Sequence, residues 1–265
     1  TGGYDSQSRL VSFEENRKET SPGYNLTTTR QRTKTETLYD GFGRLTNYQE
    51  MSTDGLGSTF VTAWAGTYNT LSQLTGFVDE STQSAEGLHL NRKTTRTGAT
   101  YDALGRSASF TEDVWSDDAE ALVTRTIRDT TAYDSEGKLS GYAGTVSIME
   151  QKFGPPLFEK TLTDLRRTNV RRTDVRYDEQ NRMTSYNETE TNDTDRPDLT
   201  VETRFSDAAY NGLGLMAGWT ETRRESGLGL DLTTETKTSH RRFEDALGRG
   251  RLSHEERSRK TYATG

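Results

Sequence analysis

The stretch YDGFGRLTNYQE, residues 39–50, is nearly repeated as YDALGRSASFTE at residues 101–112. Less exact copies begin at five other tyrosines, and an eighth copy aligns from Phe243 once one residue is inserted. A recurring unit of this length indicates a repeat architecture, in which each unit contacts mainly its neighbours. We therefore interpret residues 1–265 as a single array of seven to eight units, a fragment of a longer protein, with starts near residues 4, 39, 68, 101, 133, 177, 210 and 243.

The first residues of each unit have the chemistry of a tight β-turn. An Asp or Asn follows the tyrosine, and its side chain can accept hydrogen bonds from the backbone two residues on. Three residues later stands Gly, Asn or Ser, and Gly and Asn tolerate a left-handed backbone there. A type I turn followed by a glycine bulge fits this pattern. The predicted structural residues of the repeat are the tyrosines Tyr4, Tyr39, Tyr68, Tyr101, Tyr133, Tyr177 and Tyr210 and the turn residues Gly43, Gly105, Gly137, Gly214, Ser8, Ser72 and Asn181.

Long strands are predicted on both sides of each turn. The segments that lead into the tyrosine, such as residues 27–40 and 165–178, are rich in threonine and arginine and contain no proline. They read as strands, which gives two strands of about 12 residues in each unit. Fourteen to sixteen strands are more than a twisted open sheet usually carries without curling. The predicted fold class is therefore all-β, with tandem long antiparallel β-hairpins rolled into a spiral, tube or shell.

An aromatic residue stands nine positions after every repeat tyrosine. Equivalent residues of successive units lie two strands apart, about 9.6 Å, so side chains of the intervening strand must lie between them. We expect arginines of those strands to place guanidinium groups over the rings, each contact contributing about 0.5 to 1 kcal/mol where it is exposed. Acids at a second fixed offset are expected to form salt bridges with the same arginines. The aromatic set is Phe13, Tyr48, Phe77, Phe110, Tyr142, Tyr186 and Trp219, and the acidic set is Glu15, Glu50, Asp79, Glu112, Glu188 and Glu221.

The segments YDGFGRL, YDALGRS, YDSEGKL and YDEQNRM resemble the tyrosine-aspartate (YD) repeat of the rearrangement hotspot, or Rhs, proteins. Related repeats occur in insecticidal toxin complexes and in the teneurins. The resemblance implies long antiparallel strands that spiral into a hollow β shell, often around a toxic domain, and an extracellular or bacterial cell-surface location. The chain differs from the family in two ways. Its predicted strands are longer than those of the usual repeat, and it has no DPxG-like self-cleavage signature. The resemblance therefore implies only a shell or fibre, and it supplies no argument for a toxin or for self-cleavage.

Composition narrows the function classes. Only 29% of the residues are hydrophobic and 28% are charged, values that favour disorder unless a repeat imposes order. The chain has no cysteine, which excludes disulfides and thiolate metal sites. A net charge of -7 argues against nucleic acid as a partner. No apolar run has the length of a membrane span, so we expect no membrane insertion by this segment.

Candidate catalytic or metal-binding residues are few. His89, His240 and His254 lie in no metal-ligand spacing and beside no nucleophile motif, so we predict no catalytic residue, no metal site and no cofactor. The segment 190–198 is rich in oxygen ligands but lacks the glycine and terminal glutamate of a calcium loop, which favours a solvated turn.

Residues 144–160 form an apolar segment in a polar chain, and Phe153, Leu157 and Phe158 are its candidate contact residues. Because Pro155 and Pro156 break the strand pattern, we interpret the segment as an inserted loop. It is either an enlarged hairpin end that covers a sheet edge or fills the shell, or a contact patch for a neighbouring subunit or an enclosed domain.

The function expected from the sequence is that of a non-enzymatic structural β-repeat segment of a large bacterial surface or secreted assembly, as shell, stalk or filament wall. Its expected partners are further copies or other segments of the same protein. The alternative is an adhesin or carbohydrate-binding module that uses aromatic and arginine residues to bind glycans. An open groove lined by the repeat aromatics would favour glycan binding, whereas aromatics covered by adjacent strands would favour a structural role.

Overall fold

The computed structural model describes residues 1–21, 24–32, 36–119, 122–154, 159–194, 198–227, 229–243 and 252–263. Within these ranges the protein is all-β, and its seventeen strands belong to one antiparallel sheet. The one helical element of the described residues is a single 3₁₀ turn, Asp117–Ala119. The strands are β1 (Gly2–Tyr4), β2 (Leu10–Ser21), β3 (Tyr24–Arg32), β4 (Leu38–Tyr39), β5 (Leu45–Asp54), β6 (Thr59–Tyr68), β7 (Leu74–Ala85), β8 (Leu88–Tyr101), β9 (Ser107–Ser116), β10 (Leu122–Tyr133), β11 (Leu139–Gly154), β12 (Glu159–Tyr177), β13 (Met183–Asn192), β14 (Thr200–Tyr210), β15 (Met216–Gly227), β16 (Leu230–Phe243) and β17 (Leu252–Ala263).

The chain forms two compact units. Unit 1 comprises Thr1–Ile127 and Ile148–Thr163, and unit 2 comprises Arg128–Ser147 and Asp164–Gly265. In unit 1, β5, β6, β7, β8 and β9 pair antiparallel in chain order. In unit 2, β12 to β17 pair in the same way. Pairing between consecutive strands is the serial hairpin arrangement that the sequence predicts.

The seven YD turns have the predicted conformation. In each turn the Asp or Asn side chain accepts the backbone N–H groups two and four residues on, at 2.8 to 3.0 Å. The residue three positions after this Asp or Asn has positive φ, between 77° and 83° at the glycines and between 60° and 63° at Ser8, Ser72 and Asn181. The turn prediction is confirmed. Ser8 and Ser72 show that a residue other than glycine adopts the left-handed conformation where the hydrogen bonds of the turn are made.

The structure contains a further turn of the same kind. Asp54 accepts the N–H groups of Leu56 and Ser58, and Gly57 has a φ of 87°. This turn joins β5 to β6, at the opposite end of the strands from the YD turns. No tyrosine precedes Asp54, so an alignment on the tyrosines does not find it.

In three of the repeat units a β-bulge lies just before the repeat tyrosine. The register shifts between Thr97 and Thr100 in β8, and an equivalent shift occurs in β12 and β14. Gly98, Asp174 and Asp207 lie within these shifts and have φ of 55° to 62°. A bulge of this kind increases the local twist and re-aims the next side chains.

The buried apolar core is small. Among the described residues the buried hydrophobic side chains are Val11, Ala99, Val123, Met149, Val175, Val201 and Phe205. Most other strand side chains are half-buried or exposed. The folded structure must therefore be stabilised largely by contacts between adjacent strands. The side chains at the repeated positions make these contacts.

One sequence interpretation needs correction. The segment 144–160 was expected to be an inserted loop, but residues 144–154 continue strand β11 and Glu159 begins β12. Alternating burial explains this: Thr145, Ser147 and Met149 are buried on one side of the strand. Leu157, Phe158 and the Phe153 side chain lie outside the described residues, as does the turn of the eighth unit, although Phe243 pairs with Leu252 across it.

Candidate functional site

Five repeat tyrosines bind the preceding repeat unit through their hydroxyl groups. Each donates a hydrogen bond to the carbonyl oxygen of the first residue in the strand that follows the preceding YD turn, a contact that we call the tyrosine lock. The pairs are Tyr39 to Leu10 (2.6 Å), Tyr68 to Leu45 (2.8 Å), Tyr101 to Leu74 (2.6 Å), Tyr177 to Leu139 (3.1 Å) and Tyr210 to Met183 (2.6 Å). Five of the aligned tyrosines thus make the same hydrogen bond.

The basic residue of the previous YD turn covers the locked ring. The guanidinium carbon of Arg9 lies 4.6 Å from the centre of the Tyr39 ring, and the same contact recurs in three further pairs. Arg9 Nε also donates a hydrogen bond to the Asp5 carboxylate at 2.6 Å. The turn carboxylate, the guanidinium and the next repeat tyrosine thus form one chain of contacts. The further pairs are Arg44 with Tyr68 (4.9 Å), Lys138 with Tyr177 (5.9 Å) and Arg182 with Tyr210 (4.5 Å).

A second set of contacts, the ring ladder, consists of the aromatic residues at the ninth offset and the residues that separate them on the intervening strands. Arg32 lies 4.3 Å from the Tyr48 ring and 5.4 Å from the Phe13 ring. The same sandwich recurs with Arg96 between Phe77 (5.2 Å) and Phe110 (4.2 Å), and with Arg172 between Tyr142 (5.4 Å) and Tyr186 (3.9 Å). The predicted guanidinium contacts are confirmed at these steps.

Two steps of the ring ladder contain an aromatic residue where the others have arginine, which the sequence analysis missed. Trp64 stacks on Tyr48 with ring centres 5.6 Å apart, and Phe205 stacks on Tyr186 at 5.2 Å. Trp64 could have been found from the equal spacing of residues 32, 64 and 96, which places it in the position of an arginine.

Acidic residues of the repeated set form salt bridges with the arginines of the ring ladder. Glu50 pairs with Arg30 and Arg32. Further salt bridges join Glu112 to Arg96 and Glu188 to Arg172, each at 2.7 Å. By contrast, Asp79 lies opposite Trp64 and Glu221 lies opposite Phe205, so no guanidinium stands across from either acid. The predicted salt bridges therefore form where the intervening strand supplies an arginine.

Asp79 is expected to reduce stability at neutral pH. Partial burial raises its pKa, and Arg92 only partly offsets this. A carboxyl whose folded pKa is raised favours the folded state when protonated, so its penalty is present at pH 7 and disappears once the pH falls below the unfolded pKa of 3.8. We expect Asp79→Asn to increase the free energy of unfolding at pH 7 by less than about 1 kcal/mol, since the carboxyl is only partly buried.

Urea unfolding of the Asp79→Asn variant at pH 7 and at about pH 3 checks this expectation, with the gain present at the first pH and absent at the second. Glu112→Gln is the matched control, because it breaks the salt bridge with Arg96 and should lower stability at pH 7. A destabilised Asp79→Asn variant at pH 7 would show that the carboxylate has a stabilising partner.

The turn carboxylates titrate in the opposite direction. Backbone N–H groups of Arg9 and Arg106 lower the pKa of Asp5 and Asp102 respectively, and the Arg182 side chain lowers that of Asp178. A lowered folded pKa contributes stability above the unfolded value of 3.8, and this contribution is lost as the pH falls through the folded pKa. The YD turns therefore weaken in acid.

One polar cluster in unit 1 has the side chains of a hydrolytic site. Ser84 Oγ lies 3.1 Å from His89 Nδ1, and His89 Nε2 lies 3.2 Å from the Asn91 amide nitrogen. The same amide nitrogen donates to Asp117 at 2.8 Å, which fixes its orientation. Nε2 must then be the acceptor, so Nδ1 carries the proton and donates it to Ser84. This is the reverse of what a general base requires, and the cluster instead ties the β7–β8 hairpin to the 3₁₀ turn.

Other features of the described residues carry no evident chemistry. A concavity of 640 Å³ in unit 1 is lined mainly by threonine, glycine and alanine, and Arg96 is its one charged lining residue. No cluster of three or more metal-ligating side chains occurs in the described ranges. No described helix has the length and apolar character needed to cross a membrane.

Comparison of the chain with known protein families, with curated proteins and with solved structures found no match.

Proposed function

We propose that this chain is a non-enzymatic structural β-repeat segment, a YD-repeat array of the kind that Rhs proteins contain. Its strands would curl into a spiral, tube or shell that forms the wall of a large bacterial surface or secreted assembly, as shell, stalk or filament. Its partners would be further copies or other segments of the same protein.

The observation that carries the proposal is the tyrosine lock. The same contact at the same offset joins five of the repeat units to the repeat unit before them, so the repeated chemistry is spread along the chain and does not converge on one centre. An enzyme needs a unique constellation of acid, base or nucleophile, whereas a wall needs one contact that can be made many times. The orientation of His89 towards Ser84 supports the same conclusion, because it leaves that serine without a general base.

The ring ladder favours a structural role over the alternative of glycan binding. Tyr48 lies between Arg32 and Trp64, and Tyr186 lies between Arg172 and Phe205. A ring whose two faces contact neighbouring strands has little face left for a sugar. Selective glycan binding that is lost on changing Trp219 to alanine would restore the adhesin proposal.

Electron microscopy of the native, full-length protein tests the proposed role directly. A hollow capsule or a continuous fibre is the expected result. A discrete globular particle without repeating walls would overturn the proposal.

Removal of a single lock hydroxyl should have a measurable effect on stability. We expect Tyr101→Phe to lower the free energy of unfolding by about 1 kcal/mol, because the Leu74 carbonyl loses its 2.6 Å hydrogen bond while the ring remains. Tyr4→Phe is the control, since Tyr4 is 64% exposed and its hydroxyl has no described partner, and it should change stability by less than about 0.5 kcal/mol. Equal effects of the two substitutions in urea unfolding would show that the lock contributes nothing.

A further inference from the structure

One YD turn contains the only Asn–Gly pair of the chain, Asn211–Gly212. The residue after the repeat tyrosine is Asp in five of the aligned units and Asn in two, at Asn69 and Asn211. An asparagine can react with the backbone nitrogen of the residue that follows it, which attacks the side-chain amide carbon. Glycine favours this attack because it has no Cβ to crowd the nitrogen.

The backbone nitrogen of Gly212 is free to attack. The other N–H groups of the turn are used: those of Leu213 and Leu215 donate to Asn211 Oδ1, and that of Gly214 donates to the Asn211 carbonyl oxygen. The Gly212 N–H donates to no group in the described part of the chain. Gly212 is exposed, and a Cβ placed on it would meet no atom within 4 Å. Water and hydroxide therefore reach this nitrogen and can remove its proton.

The side-chain carbonyl of Asn211 is polarised by the turn. Its oxygen accepts the N–H of Leu213 at 2.9 Å and that of Leu215 at 3.0 Å. The carboxamide must lie in this orientation, because its nitrogen carries only donors and could not accept either bond. Two donors on this oxygen stabilise the negative charge that develops there when a nucleophile adds to the carbon, as the donors of an oxyanion hole do.

The other asparagine turn differs at the two positions that matter for this reaction. Asn69 accepts the same pair of N–H groups, but its Nδ2 donates to Gln73 Oε1 at 2.8 Å. Leu215 stands in the equivalent place beside Asn211 and has no side-chain acceptor. The residue after Asn69 is Thr70, whose branched side chain crowds the attacking nitrogen. The turn of Asn69 is therefore a built-in comparison in the same protein.

Two further turns place glycine after an acid, Asp40–Gly41 and Asp54–Gly55. Both carboxyls are ionised at neutral pH. The backbone N–H of Ser58 lowers the pKa of Asp54 further below its usual value. A carboxylate repels a nucleophile that carries negative charge, so these turns lack the reactive carbon that Asn211 provides.

We propose that Asn211 is a self-modification site, at which the chain converts this asparagine to aspartate through a succinimide. The deprotonated Gly212 nitrogen bonds to Asn211 Cγ, the bond from Cγ to Nδ2 breaks, and Nδ2 takes up a proton and leaves as ammonia. Water then adds to a carbonyl carbon of the ring, the bond from that carbon to the Gly212 nitrogen breaks, and the nitrogen regains its proton. The net reaction consumes water and releases ammonia. This inference goes beyond the structural role proposed above and does not depend on it.

The hydrogen bonds of the turn also select the product. Addition of water at Cγ restores the normal backbone and gives aspartate, whereas addition at the main-chain carbonyl carbon gives isoaspartate, with an extra methylene group in the backbone. Two N–H groups face the oxygen on Cγ, and only that of Gly214 faces the main-chain oxygen. Cγ is therefore the more polarised carbon, and aspartate should be the major product. Asp102 shows that an aspartate accepts the same two backbone bonds in a YD turn.

Peptide mapping by mass spectrometry tests the proposal on the folded 265-residue chain, incubated at mildly alkaline pH. We expect Asn211 to convert at least about tenfold faster than Asn69, because crowding and misplacement of a reacting group cost factors of this order or more. Synthetic peptides that contain aspartate or isoaspartate at position 211 serve as chromatographic standards, and aspartate should predominate.

Exchanging the features of the two turns supplies the matched variants. Gly212→Thr should slow the conversion of Asn211 to the rate of Asn69. The double variant Thr70→Gly, Gln73→Leu should raise the rate at Asn69 to that of Asn211. Gly212 and Thr70 are both exposed, so the circular dichroism spectra should not change. If the double variant does not fold, the Gly212→Thr variant alone decides.

Three results would contradict the proposal. The first is an Asn211 that stays intact in the folded chain while the same residue converts in urea, which would show that the turn protects the amide. The second is a rate that Gly212→Thr leaves unchanged. The third is isoaspartate as the major product of the folded chain, which would refute the selection by the N–H groups of the turn.

Discussion

Glu50→Gln is expected to lower the free energy of unfolding by about 3 kcal/mol or more. Glu50 is 7% exposed and accepts hydrogen bonds from Arg30 and from Arg32, whose side chain is 14% exposed. The substitution keeps the shape but leaves a guanidinium without its counter-charge in a poorly hydrated place. Removal of one partner of a buried pair typically costs 3 to 5 kcal/mol.

The matched control for Glu50 is Glu80→Gln in the same unit. Glu80 pairs with Lys93 at 2.6 Å, but the two side chains are 54% and 47% exposed, so the loss should stay below about 1 kcal/mol. Urea unfolding followed by circular dichroism measures both variants, and a Glu50→Gln loss no larger than that of Glu80→Gln would refute the buried pair.

Arg172→Met should lower the free energy of unfolding by about 2 to 4 kcal/mol. The guanidinium lies 3.9 Å from the Tyr186 ring and 5.4 Å from the Tyr142 ring, and it pairs with Glu188, whose side chain is 12% exposed. Methionine keeps most of the apolar contact but loses two cation–π interactions of about 0.5 to 2 kcal/mol each. It also leaves the Glu188 carboxylate without its cation.

The neighbouring Arg171 provides the control for the ring ladder. Arg171 is exposed and points to the other side of β12, so Arg171→Met should change stability by less than about 0.5 kcal/mol. The pair of variants has the same change of composition and net charge, which isolates the position of the guanidinium. If both variants unfold at the same urea concentration, the ladder arginine does not contribute to the order of unit 2.

The strand and turn pattern was predictable because its determinants are local. An Asp with Gly three residues later, as in Asp102 and Gly105, encodes a turn through hydrogen bonds within five residues, and the structure has that turn. The aromatic residue nine positions after each repeat tyrosine is likewise visible in the sequence. Its spacing predicts that side chains of the intervening strand separate the rings. The turn at Asp54 was missed only because the alignment required a tyrosine.

The contacts that join the units were less accessible to sequence reasoning. The acceptor of the Tyr101 hydroxyl is a backbone carbonyl, and a carbonyl at Leu74 has no signature in the sequence. Which arginine meets a ring depends on strand register, and bulges such as that at Gly98 change the register shortly before the tyrosine.

The hairpins, their turns and the repeating order of aromatic and acidic positions follow from the amino-acid sequence, since these depend on neighbours along the chain. The folded sheet was needed to show that Glu50 is buried, that Trp64 stands opposite Asp79 in the place of an arginine, and that a tyrosine lock joins consecutive repeat units. The physical reason is that the environment of a side chain in a sheet is set by the residues across from it on two adjacent strands, and those partners are chosen by register, which is not a local property of the sequence.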